Sequence, residues 1–470
     1  MAFLIRMIVL RLVKIFYPRI EVQHLERLPR SGPRIFVANH PNGLIDPLVI
    51  MAGLDQPISF LAKSTFFANP AGRLMMSAFN ALPVFRQRDE GKSGGPQGDA
   101  ARRNEETFER CRALLAQGKP MALFPEGTTH SGTVMLPLRT GAARIALSAE
   151  AANNWDLNLQ IVPVGLWYQH KTQFRSSALL VVGEPFTLEE YAQSYAQNAR
   201  IAVHQLTERV DSALDEVVLQ AESSELFTGI PLVAAWTLPG EQSLSLQAQH
   251  ERASALLYAY HELKQRDPER LEKIVQAARR YARVLRTFGI TKPWDFELAE
   301  AKRVRLLWLL IYMIVSFPFA LLGFIISYLP YRAVRPIVPR VVGKFDEVTS
   351  TGKLIVGTIL VPLGWIIAAS LLAWFAGWQW GLLLLCASPL LAYIALYWGE
   401  CWVEWRDVAS YNWLRLRHRE LSEAVIERRQ QLSAEVLKAA QDIGVIGPDG
   451  RVTNKLPKSY LVKTPVETTS

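Results

Sequence analysis

Two uncharged apolar stretches in the second half of the chain constrain its fold most. Residues 306–329 carry no charged side chain and are long enough to cross a bilayer as a helix. Residues 354–398 also lack charge, are roughly twice as long, and contain the sequence GWQWG in the middle. This pattern is typical of two spans, at 354–375 and 381–398, joined by a turn with aromatic caps. The sequence therefore predicts an integral membrane protein whose membrane region covers 301–400.

The charges around these stretches bear on how they cross the membrane. Loops that carry Lys and Arg tend to stay in the cytoplasm, so a single span should not have cations at both ends. The stretch 306–329 does have them at both ends. We therefore expect Pro318 to break it into a re-entrant hairpin with cytoplasmic Arg-rich ends; a straight span is the alternative. The flanking cations are Lys302, Arg303, Arg305, Arg332, Arg335, Arg340, Lys344, Arg406, Arg415 and Arg417.

Residues 1–20 predict an amphipathic helix in the membrane interface. Arg6, Arg11 and Lys14 interrupt an otherwise apolar run, which indicates an interfacial helix and not a secretory signal. A helix buried in a soluble domain is the alternative. The net charge of +9 over 470 residues also indicates an anionic partner. Because the cations flank apolar segments and do not alternate with stacking aromatic residues, we expect a phospholipid membrane and no nucleic acid.

The region 21–190 alternates between strand-like and helical segments. Apolar strand candidates such as RIFVANH, PMALFPEG and LQIVPVGLWY are separated by helical patterns such as TGAARIALSAEAA. This alternation predicts an α/β fold with a central, mostly parallel sheet flanked by helices. Charged helical patterns over 191–300 predict a helical insertion. Residues 401–470 predict an amphipathic helix, either a coiled coil or a helix packed on its own domain, followed by a flexible tail.

The segment VANHPNGLIDPLV places His40 at the end of an apolar strand and Asp46 before the next apolar run. A neutral histidine can remove the proton of a hydroxyl as that hydroxyl attacks, and a carboxylate on its other nitrogen fixes the tautomer. No serine or cysteine stands in a nucleophile elbow, so the residues indicate direct attack by a substrate hydroxyl. As the simpler alternative, Asp46 is the N-cap of a helix with Pro47 at its first position, and the two roles are compatible.

A second polar cluster lies at the end of another apolar strand, in LFPEGTTHSG. Gly127, Thr128 and Thr129 can offer backbone and hydroxyl donors to a phosphate group. Glu126 can bind an acceptor hydroxyl or orient a basic residue, or it can simply cap the next helix. The three cysteines of the chain lack metal-ligand spacing, so we expect neither a zinc site nor a disulfide framework.

Three arginines are candidates for binding an anionic substrate. Arg86 and Arg88 follow a short strand in PVFRQRD, and Arg139 precedes a helix in LPLRTGAARIAL. A guanidinium group suits forked contacts with phosphate oxygens. The alternative is that these side chains face solvent.

In their order along the chain, these segments resemble the lysophospholipid and glycerol-phosphate acyltransferase family, which has a PlsC-like domain. NHPNGLIDP is similar to its His-Asp motif, VFRQR to its second block, FPEGTT to its third and IVPVGL to its fourth. The resemblance covers about residues 20–190. It implies a glycerolipid acyltransferase-like fold, with His40 as the base and Asp46 as its orienting partner. The candidate substrate-binding residues are Arg86, Arg88, Glu126, Gly127, Thr128, Thr129, Arg139 and Pro163.

Two features depart from the common pattern of that family. Five residues separate His40 and Asp46, where most members have four, and Thr129 stands where the third block often carries arginine. Both features, with the apolar segments behind the α/β region, are more similar to the branch of fungal glycerol-3-phosphate/dihydroxyacetone-phosphate acyltransferases. They shift the expected phosphate binding toward Arg88 and Arg139.

The resemblance implies a membrane-bound O-acyltransferase of phospholipid biosynthesis, with its catalytic domain on the cytoplasmic face. It would move a fatty acyl group from acyl-CoA or acyl carrier protein to glycerol 3-phosphate, with backbone N–H groups near Gly127 holding the oxyanion. No metal or bound cofactor is expected, and a homo-oligomer stays open. The alternatives are a 1-acylglycerol-3-phosphate (lysophosphatidic acid) acyltransferase, a transacylase that remodels lysophospholipids, and a non-catalytic lipid-binding membrane protein.

Overall fold

The computed structural model describes residues 2–85, 100–290, 292–293, 303–343 and 345–453. The chain divides into two compact units. The first contains Met1–Phe227 together with Asp346–Thr351, and the second contains Thr228–Phe345 and Gly352–Leu456.

Among the described residues, a seven-stranded sheet forms the centre of the first unit. Its strands are β1 (Arg19–Gln23), β2 (Arg34–Ala38), β3 (Ser59–Lys63), β4 (Ala81–Val84), β5 (Met121–Leu123), β6 (Gln160–Tyr168) and β7 (Ser177–Val182). They lie side by side in the order β1-β7-β6-β2-β5-β3-β4. All neighbours are parallel except β6 and β7, which are antiparallel. The predicted mostly parallel sheet is confirmed.

The strand β2 lies in the middle of the sheet, between β5 and β6. Its Phe36 is in register with Ala122 of β5 and Val162 of β6. All β2 residues are buried, and its apolar run is typical of a parallel strand that is covered on both faces. The strand ends at Ala38, so the residues that follow it emerge at the centre of one edge of the sheet.

Helices flank this sheet. They are α1 (Ala2–Phe16), α2 (Ile45–Leu54), α3 (Pro70–Ala78), α4 (Ala100–Ala116), α5 (Gly141–Ala152), α6 (Ala192–Gln197) and α7 (Ala199–Asp215). The helix α2 packs on β1 and β7, whereas α7 packs on β2 and β6. Short 3-10 turns occur at Leu25–Arg27, Ser64–Phe67 and Glu189–Tyr191.

The helix α7 makes the first unit longer than the predicted domain, 21–190. Its sequence is charged, but Leu206, Val210 and Leu214 recur at helical spacing and are buried. The helix packs on the sheet, and the unit continues to Phe227. Because the outer face of α7 is charged, a domain boundary drawn from composition misses this apolar stripe.

The N-terminal helix α1 combines the two interpretations of its sequence. Val13 and Phe16, near its end, are buried, and α1 packs against α2 and α3. Phe3 and Leu4, at its start, are 70% and 52% exposed. The last turns therefore belong to the core of the unit, whereas the first turn presents apolar side chains as an interfacial helix does.

Further helices follow along the chain. They are α8 (Ser224–Thr237), α9 (Leu246–Arg266), α10 (Pro268–Thr287), α11 (Arg303–Val342), α12 (Asp346–Ala376), α13 (Trp378–Arg417) and α14 (Arg419–Ile443). Within the second unit, α9, α10 and α14 pack around Leu263, Leu271 and Ala439. The predicted helical insertion is confirmed. The predicted C-terminal amphipathic helix, α14, packs on its own unit through an apolar stripe that includes Val425 and Leu432.

Three of the described helices, α11, α12 and α13, are long and apolar enough to cross a bilayer. The chain is therefore a membrane protein. The helix α12 ends at Ala376 and α13 begins at Trp378, so the turn predicted within GWQWG is present at Gly377.

The predicted break at Pro318 is wrong. The helix α11 runs without interruption from Arg303 to Val342, with Pro318 inside it. A proline inside a helix removes one backbone hydrogen bond and can kink the helix, but neighbouring helices can hold the turns on either side. Here α11 packs against α13, and the Trp398 indole N–H donates to the Met313 carbonyl at 3.0 Å.

Candidate active site

Three parallel neighbours, β5, β2 and β6, end at one edge of the sheet. His40 follows β2, Glu126 follows β5, and Tyr168 is the last residue of β6. A cavity of about 250 Å³ opens at this edge. Its polar lining includes His40, Glu126, His130, Ser131, Tyr168 and Lys171. Ligands of open α/β sheets commonly bind in this position, outside the carboxyl ends of parallel strands.

His40 and Asp46 form the predicted pair, with His40 Nδ1 at 2.9 Å from Asp46 Oδ2. Because an ionised carboxylate only accepts hydrogen bonds, Nδ1 carries a proton, and in the neutral ring Nε2 keeps a lone pair. The His40 ring is stacked on Phe124, with the ring centroids 4.1 Å apart. No described residue forms a hydrogen bond with Nε2. This nitrogen is therefore the one that can meet a substrate hydroxyl.

The Asp46 carboxylate is fully buried and is held by further donors. The Asn42 N–H donates to Oδ2 at 2.8 Å, and the Tyr168 hydroxyl donates to Oδ1 at 2.6 Å. These hydrogen bonds replace the water that a carboxylate loses on burial, and they fix its orientation. Burial, together with the negative charge of Asp46, raises the pKa of Tyr168 well above its usual value, so the hydroxyl keeps its proton.

The predicted N-cap role of Asp46 is wrong. The helix α2 begins at Ile45, and the cap residue Leu44 makes no side-chain hydrogen bond. Asp46 lies in the first turn, and its carboxylate reaches back to the Asn42 N–H. His40 and Asn42 of the preceding turn donate hydrogen bonds to this carboxylate, so it does not cap a backbone N–H of α2. Its negative charge still stabilises the N-terminal end of the helix dipole.

Glu126 supports His40 from the neighbouring strand. Its Oε1 accepts the His40 N–H at 2.9 Å, while its Oε2 accepts the Leu136 N–H at 2.9 Å and a hydrogen bond from His130 Nε2. Burial by itself raises the pKa of Glu126, but these hydrogen bonds outweigh it, and the pKa lies below its usual value. Glu126 therefore ties the turn after β5 to the turn after β2. Its contact with an acceptor hydroxyl stays a prediction.

His130 forms a second histidine–carboxylate pair, which sequence reasoning missed. Its Nε2 donates to Glu126, and its Nδ1 accepts the Gly132 N–H at 3.0 Å. Both ring nitrogens are thus bonded within the protein. The local signal that could indicate this pair is that only three residues separate Glu126 and His130.

Gly127 and Arg139 lie against each other, and neither lines the cavity. The φ angle of Gly127 is +68°, and a Cβ at this position would lie 2.5 Å from Arg139 Cδ. The Gly127 N–H donates to the Phe124 carbonyl at 2.9 Å and closes a turn. This turn uses the Gly127 N–H itself, and the expectation that backbone N–H groups near Gly127 hold an oxyanion stays a prediction. Thr128 and Thr129 also lie outside the cavity lining, and their phosphate contacts stay predictions.

Pro163 lies buried inside β6 and does not line the cavity. It is in register with Val37 of β2, and its carbonyl accepts the Gly183 N–H at 2.9 Å. In a strand, the backbone N–H and carbonyl of one residue point toward the same neighbouring strand. For Pro163 that neighbour is β7, so the N–H that proline lacks would point to the end of β7, where the pairing of the two strands stops. Pro163 therefore shapes the sheet, and its predicted substrate contact stays a prediction.

Arg86 and Arg88 lie outside the described residues. The strand β4 ends at Val84, and Phe85 exchanges hydrogen bonds with the Asn104 side chain of α4 at 2.9 and 2.8 Å. The expectation that the two arginines bind phosphate stays a prediction.

Lys171, which sequence reasoning also missed, contributes a cation to the cavity. Its Nζ donates to Ser131 Oγ at 2.7 Å and to the Pro41 carbonyl at 3.4 Å. Burial lowers the pKa of Lys171, although nearby carboxylates, Glu347 foremost, oppose the shift.

Known proteins share this domain. Residues 19–167 match the model of the Acyltransferase family. Glycerol-3-phosphate O-acyltransferase 2 of Saccharomyces cerevisiae is 29% identical over 277 residues, which are 55% of this chain and 37% of that protein. An uncharacterised acyltransferase of Schizosaccharomyces pombe is 26% identical over 380 residues, 64% of this chain and 56% of that protein. A chloroplastic 1-acyl-sn-glycerol-3-phosphate acyltransferase of Brassica napus is 29% identical over 132 residues, 28% of this chain and 34% of that protein.

The matched region contains both members of the His40–Asp46 pair and Glu126. Two of these relatives are fungal, in agreement with the branch that the spacing of the His-Asp motif indicates. The chain spans roughly a third to just over half of the length of these relatives. Residues 19–167, within the α/β unit of this chain, are similar to the acyltransferase family.

Proposed function

We propose that this chain is a membrane-bound O-acyltransferase that transfers a fatty acyl group from a thioester donor to a hydroxyl of glycerol 3-phosphate. The observation that carries the proposal is the His40–Asp46 pair, whose Nδ1 is held by a buried carboxylate while Nε2 is left without a described partner beside a cavity. The similarity to a protein named glycerol-3-phosphate O-acyltransferase supports this acceptor.

In the proposed step, His40 Nε2 removes the proton of the acceptor hydroxyl while the hydroxyl oxygen attacks the thioester carbonyl carbon. The π electrons of the carbonyl move to its oxygen and give a tetrahedral oxyanion. As the C=O bond forms again, the C–S bond breaks and the leaving thiolate takes the proton from His40. The products are an ester and a free thiol, and Asp46 stabilises the imidazolium between the two proton transfers.

The step as proposed needs two substrates and protein groups, and it requires no metal or bound cofactor. Acyl-CoA or acyl carrier protein would supply the thioester. The helices α11, α12 and α13 would keep the chain at the bilayer into which the acylated product partitions. The exposed Phe3 and Leu4 of α1 would enter the interface, and the cations at the ends of the apolar segments favour the cytoplasmic face for the catalytic domain.

The cavity beside His40 has room for a small acceptor. Pockets that enclose drug-sized ligands typically measure about 300 to 1,000 Å³. The cavity beside His40 measures about 250 Å³, which suits a three-carbon phosphate, whereas the acyl chain of a lysophosphatidic acid would have to lie outside it. The match to a 1-acyl-sn-glycerol-3-phosphate acyltransferase makes lysophosphatidic acid the second candidate.

The test is acyl transfer by the purified chain in detergent, with labelled acyl-CoA and either glycerol 3-phosphate or lysophosphatidic acid. We expect the wild type to prefer glycerol 3-phosphate and His40→Ala to lose nearly all turnover. His204→Ala is the matched control, because this histidine is exposed on α7 and, among the described residues, pairs with Glu208 alone, at 3.3 Å. Preference for lysophosphatidic acid would change the acceptor. Transfer to neither, with acyl carrier protein donors also tested, would overturn the proposed activity.

A further inference from the structure

One lysine lies among the described residues that line the cavity, and the proposed step gives it no part. Lys171 lies in the loop after β6, and its side chain is half-buried. An ammonium group has three N–H donors. Two of them reach Ser131 Oγ at 2.7 Å and the Pro41 carbonyl at 3.4 Å. Both partners are neutral, so the positive charge is not neutralised by direct contact.

The carboxylates near Lys171 do not form ion pairs with it. Glu347, Asp346 and Asp46 act on it electrostatically, but none of them, nor any other described carboxylate, lies within salt-bridge distance of Nζ. Asp46 is already held by His40, Asn42 and Tyr168. A partly buried cation that has only neutral partners is suited to an anionic ligand, which would supply the missing charge.

The backbone of Lys171 is fixed relative to His40. Its carbonyl accepts hydrogen bonds from the Tyr17 hydroxyl, from Ser350 Oγ at 2.5 Å and from Asn42 Nδ2 at 3.4 Å. Asn42 belongs to the turn between His40 and Asp46, and its N–H is bonded to Asp46. One hydrogen-bonded network therefore positions the cation and the candidate base, and both residues line the cavity.

We propose that Lys171, together with the Ser131 hydroxyl, binds the phosphate group of the acyl acceptor. This inference rests on the proposed function, which it extends by assigning the subsite for the phosphomonoester. The ammonium would act as a compact point charge on the phosphate oxygens. Ser131 Oγ accepts from Lys171, so its own proton is available to donate to a phosphate oxygen. A glycerol hydroxyl of the same molecule would lie toward His40, which lines the same cavity.

The test compares Lys171→Met, which keeps most of the side-chain length and removes the charge, with Lys171→Arg, which keeps the charge. We expect Lys171→Met to raise the KM for glycerol 3-phosphate about tenfold or more, the usual cost of losing a charged hydrogen bond. The KM for acyl-CoA and kcat should stay within about threefold. Lys171→Arg should recover part of the loss. Lys119→Met removes an exposed lysine of the same unit and should change nothing.

Equal rises in both KM values for Lys171→Met, no rise in the KM for glycerol 3-phosphate, or no recovery with Lys171→Arg would each overturn the subsite. A second measurement does not depend on activity. Inorganic phosphate, at constant ionic strength against chloride, should raise the melting temperature of the wild type but not that of Lys171→Met. A wild type that responds to phosphate through Lys171 yet transfers no acyl group would keep the subsite and contradict the proposed function. A wild type that transfers acyl groups but shows no phosphate response would contradict the subsite alone.

Discussion

Two turns of the first unit each carry a histidine that is hydrogen-bonded to a buried carboxylate. They differ in whether the second ring nitrogen of the histidine is also hydrogen-bonded within the protein. In the turn after β2, His40 Nδ1 is bonded to Asp46 and Nε2 has no described partner. In the turn after β5, His130 Nε2 is bonded to Glu126 and Nδ1 accepts the Gly132 N–H. A base needs a free lone pair beside the substrate, so only His40 can serve as one.

The difference indicates that similar histidine–carboxylate pairs can have different roles. One can transfer a proton, as we propose for His40 and Asp46, and the other can hold the backbone in place. Glu126 accepts hydrogen bonds from both His130 and the His40 N–H. The second pair therefore braces the backbone of the first. The comparison predicts large rate effects at the pair that contains Asp46 and mainly stability effects at the pair that contains Glu126.

The largest of the substitution effects at the carboxylates should come from Asp46→Asn. The amide keeps the shape but loses the charge that stabilises the imidazolium, and it can present an N–H to His40 Nδ1. We expect kcat to fall about a thousandfold with little change in KM. Asp55→Asn, an exposed carboxylate just after α2, is the control. A loss below about tenfold would remove Asp46 from the catalytic pair.

Glu126→Gln should mainly destabilise the fold. The amide cannot accept from the His40 N–H, the Leu136 N–H and His130 together, so a buried donor is left without a partner. We expect a loss of about 2 kcal/mol in the free energy of unfolding and a drop of about tenfold in kcat. Thermal unfolding in detergent measures the first, with exposed Glu109→Gln as the control. An unchanged melting temperature would show that Glu126 does not brace the turn.

The same substitution should reveal a pH dependence of stability. The pKa of Glu126 is lowered below its ordinary value of 4.5, so its ionised form favours the folded state. That contribution is complete above the ordinary value and is lost as the pH falls through the pKa of the folded protein. The difference in melting temperature between wild type and Glu126→Gln should therefore shrink below about pH 4.5. A difference that stays constant with pH would contradict the assignment.

The smallest effect should come from Tyr168→Phe. It removes one donor to Asp46, at 2.6 Å, but leaves those from His40 and Asn42. We expect kcat to fall about fivefold, less than the usual cost of a hydrogen bond to a charged group, because two other donors still hold the carboxylate. Tyr195→Phe in α6, whose hydroxyl has no described hydrogen bond, is the control. A loss as large as that of Asp46→Asn would mean that Tyr168 takes part in the proton transfer itself.

The parts of the site that sequence could predict are those carried by one short segment. His40 and Asp46 lie on the same turn, and the alternation of strands and helices indicates the parallel sheet around them. Tyr168 reaches Asp46, and Lys171 reaches the Pro41 carbonyl, only because β6 lies beside β2. Strand order is not visible in the sequence. The link from Glu126 to the His40 N–H similarly requires β5 beside β2.

Two of the wrong predictions share a physical cause, which is competition from tertiary contacts. The local sequence predicts that Asp46 is an N-cap, but its carboxylate accepts hydrogen bonds from side-chain and backbone donors of the preceding turn. The local sequence predicts that Pro318 breaks the helix, but α11 continues through this proline and packs against α13. The boundary at 190 missed α7, because the apolar stripe that packs on the sheet is narrow within a charged helix.

The most direct measurement is kcat for His40→Ala and His130→Ala in parallel, in the same detergent, with acyl-CoA and glycerol 3-phosphate. The melting temperature of each variant shows whether it is folded at the temperature of the assay. If only the histidine with an unbonded nitrogen is the base, His40→Ala loses about a thousandfold or more in kcat, whereas folded His130→Ala stays within about tenfold of the wild type. Equal losses in both variants, or a larger loss in His130→Ala, would contradict the assignment of His40 as the base.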